Sequence, residues 1–354
     1  MSEESICQRI SQYIFDNLHG LADQIYKKQE KKQPALFASY TKVEREFCQS
    51  DTINNLSYFA QAIKINNRQT FKKYIYWLAE TLLIRNVPLA CVSVNLETIE
   101  EGLLTNFTLE EGVIIKSFIQ EALDALQDPK ISSVYVKKEA PFGELALAYL
   151  SALLKTDRRQ ASLLISNAVW QKKIPIKDVY LNVFQPVLYE VGRLWQANEI
   201  GVAREHYSTA VTQFVMSQLY PYIFSNQKNG MSMIATCVGN EQHEIGIRMV
   251  AEFFEMEGWD TYFLGANTPA MSIIQLAKEK KAQVLAVSAT LTPHLIHVEK
   301  LIDELRKSDV KEIKIIVGGN AFNLSEDAWQ GIGADGYAAD ALGAIHLAEQ
   351  MVLS

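Results

Sequence analysis

The chain has 354 residues, 48% of them hydrophobic and 21% charged, which suits several globular domains, each large enough to bury its own core. No apolar run approaches the roughly 20 residues of a membrane-spanning helix, and the acidic N-terminus MSEESICQRI has no signal-peptide character, so a cytoplasmic location without membrane attachment is expected. A formal net charge of −7 argues against direct nucleic-acid binding, which needs clustered Lys and Arg.

The first block, residues 1–130, has helical periodicity throughout. Ile53, Leu56, Phe59, Ala60 and Ile63 share one helical face, as do Phe71, Tyr74, Ile75, Leu78 and Leu82, and Pro88 stops the second of these helices. Thr108-x-x-Glu111 is a capping box that opens another helix, with Val113, Ile114, Phe118 and Leu126 available for burial. The short basic run Lys27 to Lys32 fits a solvated helix end. Cys7, Cys48, Cys91 and Cys237 form no CxxC pair, so reduced, mostly buried thiols are expected rather than a disulfide framework or a zinc site.

Periodicity fails between Asp128 and Phe142, where Pro129, Ser132, Ser133 and Pro141 mark a linker. A second helical block follows over residues 143–225. Phe184, Val187, Leu188, Val191 and Trp195 form one stripe, Ala203, Tyr207, Ala210 and Phe214 another, and Gln196 to Gly201 separates the two helices; the count suits a four-helix bundle.

Residues 231–354 change to short apolar runs alternating with amphipathic segments. Ile234 to Val238, Thr261 to Leu264, Val284 to Ser288 and Ile313 to Val317 are the predicted strands. Repeated βα units imply an α/β fold with a doubly wound parallel sheet, whose ligands bind beyond the carboxyl ends of the strands. Glu241, Gly265, Ser288 and Gly318 all fall there. The first βα turn, Gly239-Asn240-Glu241-Gln242-His243, is no G-x-G-x-x-G fingerprint, which disfavours a dinucleotide.

In that crevice His243 can offer a neutral imidazole nitrogen to a metal, and Glu241 can accept the proton on the other ring nitrogen. Small and hydroxyl residues recur after the strands: Gly246, then Ser288-x-Thr290-x-Thr292, then Gly318-Gly319. Ser288 follows His243 by 45 residues (288 − 243), one αβα connection. Upstream stand Trp195 and the pair Glu205-His206.

Together these motifs resemble the cobalamin-binding modules of methionine synthase and of light-dependent cobalamin-binding regulators, over the chain from about Gly143 onward. The resemblance implies a Rossmann-like cobalamin domain with His243 as the lower cobalt ligand in place of the vitamin's own base. It also implies a nucleotide tail buried along Gly246, Ser288, Thr290, Thr292, Gly318 and Gly319, and an upper face capped by Trp195, Glu205 and His206. Three departures stand out. Glu241 occupies the place of an Asp in methionine synthase, and His294 follows Thr292-Pro293 where that enzyme has Ser; in the light-dependent repressors a His follows the Trp, here Gln196.

The stretch Asp51 to Pro88 resembles the globin-like helical sensor domain of stressosome-type regulators, and the domain preceding the cobalamin module in photocobilins. That likeness implies a light sensor rather than an enzyme, carrying 5′-deoxyadenosylcobalamin and biliverdin and signalling through a partner protein or a homo-oligomer. The aromatic residues Tyr58, Phe59, Tyr74, Tyr76 and Trp77, with Arg85, are core-like at helical spacing, and no bilin residue is assigned. Haem is disfavoured, because the only His of this block is His19. The alternative is a corrinoid methyl carrier serving a separate methyltransferase.

Overall fold

The computed structural model describes residues 3–85, 87–127, 134–224, 227–239, 241–324 and 328–353. Among the described residues the N-terminal part is all helix: α1 (Glu3–Asp16), α2 (Leu18–Lys32), α3 (Pro34–Ser39), α4 (Lys42–Lys64), α5 (Arg68–Ile84), α6 (Ala90–Leu104) and α7 (Leu109–Ala125). Local chemistry sets their starts. Thr41 with Glu44, and Thr108 with Glu111, close reciprocal capping boxes on α4 and α7, and the Asn67 side chain caps α5 by accepting from the Thr70 N–H. Thr108→Ala is expected to lower stability by about 1 kcal/mol in a urea melt, the usual loss when an N-cap oxygen is removed.

Leu56, Phe59, Ala60 and Ile63 of α4 and Phe71, Tyr74, Ile75 and Leu78 of α5 are buried as the periodicity requires, while Ile53 and Leu82 are half-buried at the edges of their stripes. Phe59 meets Phe71 and Phe118 edge-on, with ring centroids 5.2 and 6.2 Å apart. Val113 departs from expectation: it is exposed, because Ile114, Ile115, Phe118, Ile119 and Ala122 define the inward face of α7 and Val113 lies off it. Also unforeseen is a buried amide network. Asn95 donates to Gln29 (2.8 Å) and Thr52 (3.0 Å), Asn55 donates to Asn95 (2.8 Å), and the Tyr74 hydroxyl donates to Asn55 (2.6 Å). The basic run ends α2 with its lysines exposed and Gln29 turned inward, and His19 is exposed at the start of the same helix.

Of the linker, residues 128–133, with Pro129, Ser132 and Ser133, lie outside the described residues. Residues 134–142 are turns, yet Val136 is buried and the Tyr135 N–H donates to Glu190 at 2.8 Å, so this stretch is anchored on the helices that follow. Those are α8 (Gly143–Leu154), α9 (Arg158–Trp170), α10 (Ile176–Val179) running through a π turn (Tyr180–Phe184) into α11 (Gln185–Gln196), and α12 (Val202–Ile223). Phe184, Val187 and Val191 face the bundle core, Leu188 is half-buried and Trp195 is partly exposed. The second stripe requires a correction. Ala203, Ala210 and Phe214 are exposed, and the inward face of α12 is Ser208, Val211, Thr212, Val215, Met216 and Leu219. Two of these are hydroxyl residues that bond back to the Arg204 and Ser208 carbonyls, so apolar spacing picks the wrong side.

The α/β part contains β1 (Ser232–Cys237), α13 (Ile245–Met256), β2 (Asp260–Gly265), α14 (Ala270–Lys280), β3 (Val284–Ser288), α15 (Leu295–Arg306) and β4 (Lys314–Gly318). Short helices α16 (Asn320–Asn323) and α17 (Ala328–Gly331), strand β5 (Gly336–Tyr337) and α18 (Ala341–Leu353) complete it. Among the described residues the strands form one parallel sheet in the order β2-β1-β3-β4-β5. β5 is absent from the predicted strands, since two residues, one of them Gly336, carry no period. The bundle and the sheet belong to one compact unit and α1–α7 to another. All four cysteines are free, Cys7 and Cys237 buried and Cys48 and Cys91 half-buried. No helix among the described residues is long and apolar enough to cross a membrane.

Candidate functional site

The strand order places β1 between β2 and β3, so the chain leaves β1 and β3 toward opposite ends of the sheet and a crevice opens beyond their carboxyl ends. Register sets the residues along that edge: Cys237 pairs with Ser288 and Ser288 with Gly318, while Thr236 pairs with Gly265. The loop after β1 then carries Glu241 and His243 over this row; Asn240 lies outside the described residues.

Glu241 is fully buried. Its Oε1 lies 2.5 Å from His243 Nδ1 and accepts the His243 backbone N–H at 3.1 Å, while Oε2 accepts the Thr290 N–H at 2.7 Å. One carboxylate therefore ties the loops after β1 and β3 together and orients the imidazole. The ring itself is 60% exposed. The hydrogen bond to Glu241 raises the imidazole pKa above its usual value, burial opposes this, and the charges of Glu241 and Glu205 add to the rise. With Nδ1–H given to the carboxylate, the lone pair sits on Nε2, the tautomer a metal-ligating His needs. Beneath the loop, the buried Cys237 thiol donates to the His243 carbonyl at 3.6 Å, and burial pushes its pKa up to about 12.

Small residues surround the crevice for two distinct reasons. Gly319 has φ +94°, and a Cβ there would lie 2.5 Å from the Ala289 carbonyl oxygen and 2.8 Å from Ser288 Oγ, so the fold itself demands glycine. Gly318 is restricted by the Ala338 carbonyl oxygen, 2.9 Å from a built Cβ. Gly246, the second residue of α13, has nothing within 4 Å of such an atom. Ser288 is buried and Thr290 half-buried. Thr292 is buried and begins a 3₁₀ turn, Thr292–His294, which groups with the other compact unit.

The remaining candidates lie on the bundle. Trp195 is the penultimate residue of α11 and 39% exposed, and Glu205 and His206 occupy the first turns of α12. Glu205 bridges its neighbours, with Oε2 2.5 Å from His206 Nδ1 and Oε1 accepting from Thr209 at 3.1 Å. Its negative charge adds to the rise of the His243 pKa. Four further residues beside the site are not among those predicted from the sequence. Glu244, directly after His243, accepts a hydrogen bond from Gln213 of α12 at 2.9 Å, and Arg248 binds the Gln213 carbonyl and Ser217. The i, i+4 spacing of Glu244 and Arg248 is visible in the sequence, but their partner helix is not.

Among the described residues no group of three or more His, Cys, Asp or Glu side chains can hold a metal.

Two family models match this part of the chain, both described as B12 binding domain: one over residues 145–220, the bundle, and one over residues 231–346, the α/β domain. This is a cobalamin-binding protein. The dimethylamine corrinoid protein of Methanosarcina barkeri is 27% identical over 179 residues, covering 47% of the cobalamin-binding protein and 82% of that relative. Dimethylamine corrinoid protein 1 of Methanosarcina acetivorans is 27% identical over 168 residues, covering 47% and 76%. Among solved structures, the monomethylamine corrinoid protein of Methanosarcina barkeri matches with a TM-score of 0.53 at 22% identity, over 60% of the cobalamin-binding protein and 100% of that chain, and so shares its fold.

Proposed function

We propose that the protein is a corrinoid carrier that exchanges a methyl group with a separate methyltransferase, and is not itself the enzyme. The observation that carries this reading is the Glu241–His243 pair at the switch point of the sheet. Its geometry leaves Nε2 with the lone pair and supports it with a buried carboxylate. Bound cobalamin supplies the cobalt atom on which a one-carbon group is carried. His243 would hold that cobalt from below and Glu241 would fix the tautomer. Gly246, Ser288, Thr290, Gly318 and Gly319 would line the nucleotide tail, and Trp195, Glu205 and His206 would shield the face turned to the bundle. The corrinoid proteins named above support the carrier role, which in the sequence reading is the alternative.

A second reading, a light sensor that uses 5′-deoxyadenosylcobalamin with biliverdin as a further chromophore, draws on one feature: the separate helical unit α1–α7 ahead of the cobalamin domains. Its aromatic residues pack on one another, Tyr74 stacking with Tyr58 at 3.7 Å and with Trp77 at 5.8 Å between ring centroids. In this reading the signal passes to a partner protein or through self-association.

The test is the electron paramagnetic resonance spectrum of cob(II)alamin bound to ¹⁵N-labelled protein. Coordination by His243 is expected to give a two-line nitrogen splitting in place of the three lines from unlabelled protein. A three-line pattern with labelled protein would sink the assignment. Illuminating the adenosylcobalamin and biliverdin complexes in the same series separates the two readings: the cobalt–carbon bond is broken by light in either case, and a hydrodynamic size unmoved by that loss favours the carrier.

A further inference from the structure

Helix α12 of the bundle and helix α13 of the α/β domain run side by side within one compact unit, joined by polar side chains at matched helical spacing. Gln213, Ser217 and Tyr220 lie on one face of α12, and Glu244, Arg248 and Glu252 on one face of α13. Gln213 Nε2 donates to Glu244 Oε1 at 2.9 Å. One turn on, Arg248 donates to the Gln213 carbonyl at 3.3 Å and to Ser217 Oγ at 3.0 Å, and its guanidinium lies 5.8 Å from the Tyr220 ring centroid. Arg248 Nε is bound by Glu252 at 2.8 Å, and the other oxygen of Glu252 accepts the hydroxyl proton of Tyr180, the first residue of the π turn that leads into α11. Arg248 and Glu252 are almost wholly shielded, with side-chain exposures of 12% and 4%.

Beside this ladder a cleft of about 350 Å³ opens between Tyr220 of α12, Phe224 at its C-cap, Glu255 of α13, Phe263 of β2 and Leu276 of α14. Apolar side chains of both helices belong to one buried cluster, and the directional bonds, which fit at one spacing only, select how far α12 extends along α13. Both partners of the first rung lead to the candidate site. Glu244 directly follows His243, and Glu205 precedes Gln213 by two helical turns, about 12 Å along the axis. A slip by one helical turn, about 5.4 Å, would carry Glu205 and His206 away from His243.

We propose that this ladder fixes the register of α12 on α13 and so holds the Glu205–His206 pair over His243, which makes Gln213 and Arg248 positioning residues of the site. The claim that the site so covered is the cobalamin site rests on the function proposed above. Arg248 is a poor first target, because its removal leaves the buried Glu252 carboxylate without its cation. Gln213→Glu sets a like charge against Glu244 at a half-buried position, and Gln213→Glu with Glu244→Gln restores one donor and one acceptor across the same gap.

Hydrogen exchange of the full-length protein without cofactor is the first measurement. The Glu205–Thr212 amides are expected to exchange about tenfold faster in Gln213→Glu, as the loss of a hydrogen bond to a charged group implies, and to return to the native rate in the double variant. Helices α8 and α9 should be unmoved. Azide binding to aquacobalamin-loaded protein is the second: its association rate should rise in Gln213→Glu and recover in the double variant. Unchanged exchange at Glu205–Thr212, a uniform rise across the bundle, or a double variant no better than the single overturns the ladder. A native protein that takes up no aquacobalamin overturns the cobalamin reading instead, and the exchange measurement still judges the ladder.

Discussion

His243→Ala is expected to weaken aquacobalamin binding by more than about 100-fold while leaving the thermal stability of the unliganded protein nearly unchanged. The floor comes from Glu241→Gln, for which about 10- to 100-fold is expected, the range found when the partner of a metal-ligating His is removed. The amide introduced by Glu241→Gln has the shape of the carboxylate but only one acceptor oxygen. If that oxygen keeps the Thr290 N–H, which Glu241 now accepts at 2.7 Å, the amide nitrogen must face His243 Nδ1. Nδ1 then becomes the acceptor, the proton moves to Nε2, and the lone pair required by cobalt is lost. If the amide turns the other way, its NH₂ opposes the Thr290 N–H and the tie between the β1 and β3 loops fails. Both arrangements cost affinity, and the direct loss of the ligand in His243→Ala costs more. Absorption titration with aquacobalamin measures both variants. Native-like affinity in His243→Ala would remove the lower-ligand role altogether.

The contrast between His243 and its support shows what the sequence makes legible and what it conceals. Glu241-x-His243 places a carboxylate within reach of its own neighbour's ring, a local relation, and the 2.5 Å contact is present. The second arm of Glu241, to the Thr290 N–H, depends on β1 lying next to β3, and nothing near either residue encodes that adjacency. Helix α12 presents the reverse problem. Its sequence carries apolar residues on both sides, and the buried side includes Ser208 and Thr212, whose hydroxyls are satisfied by the helix's own carbonyls. Hydrophobicity alone then gives no reason to prefer the correct face. Val113 fails on α7 for a simpler reason: the helix has more apolar residues than its inward face can take. Strand β5 is held by its neighbour β4 instead of by any pattern of its own. The β1–β3–β4 core, built from runs rich in Val, Ile and Ala bounded by turns, is readable because those strands are buried over most of their length, whereas β2 is half-buried and is marked by its apolar Tyr262-Phe263-Leu264 run.

In sequence, the glycines after the strands all look like room for a ligand, and the structure separates them into two classes with opposite expected behaviour. Gly319→Ala should lower stability by about 2 to 4 kcal/mol in chemical denaturation, because it combines a left-handed backbone with a collision. The colliding atoms are main chain: the built Cβ lies 2.5 Å from the Ala289 oxygen, which already accepts the Ala321 N–H at 3.1 Å, while the Ala289 N–H donates to Gly318 at 3.1 Å. Neither segment can retreat without breaking the pairing between the β3 and β4 loops. Gly246→Ala meets no atom within 4 Å and sits in ordinary helix, so stability should stay level or rise by up to about 1 kcal/mol. The pair therefore divides the labour of the two residues. If aquacobalamin binding falls about tenfold in a fully stable Gly246→Ala protein, the open space at residue 246 serves the ligand, since the fold has no use for it. If affinity holds there and falls only with stability in Gly319→Ala, then Gly318 and Gly319 shape the β3–β4 loops, the nucleotide tail does not pass residue 246, and the path of the tail must lie closer to Ser288 and Thr290.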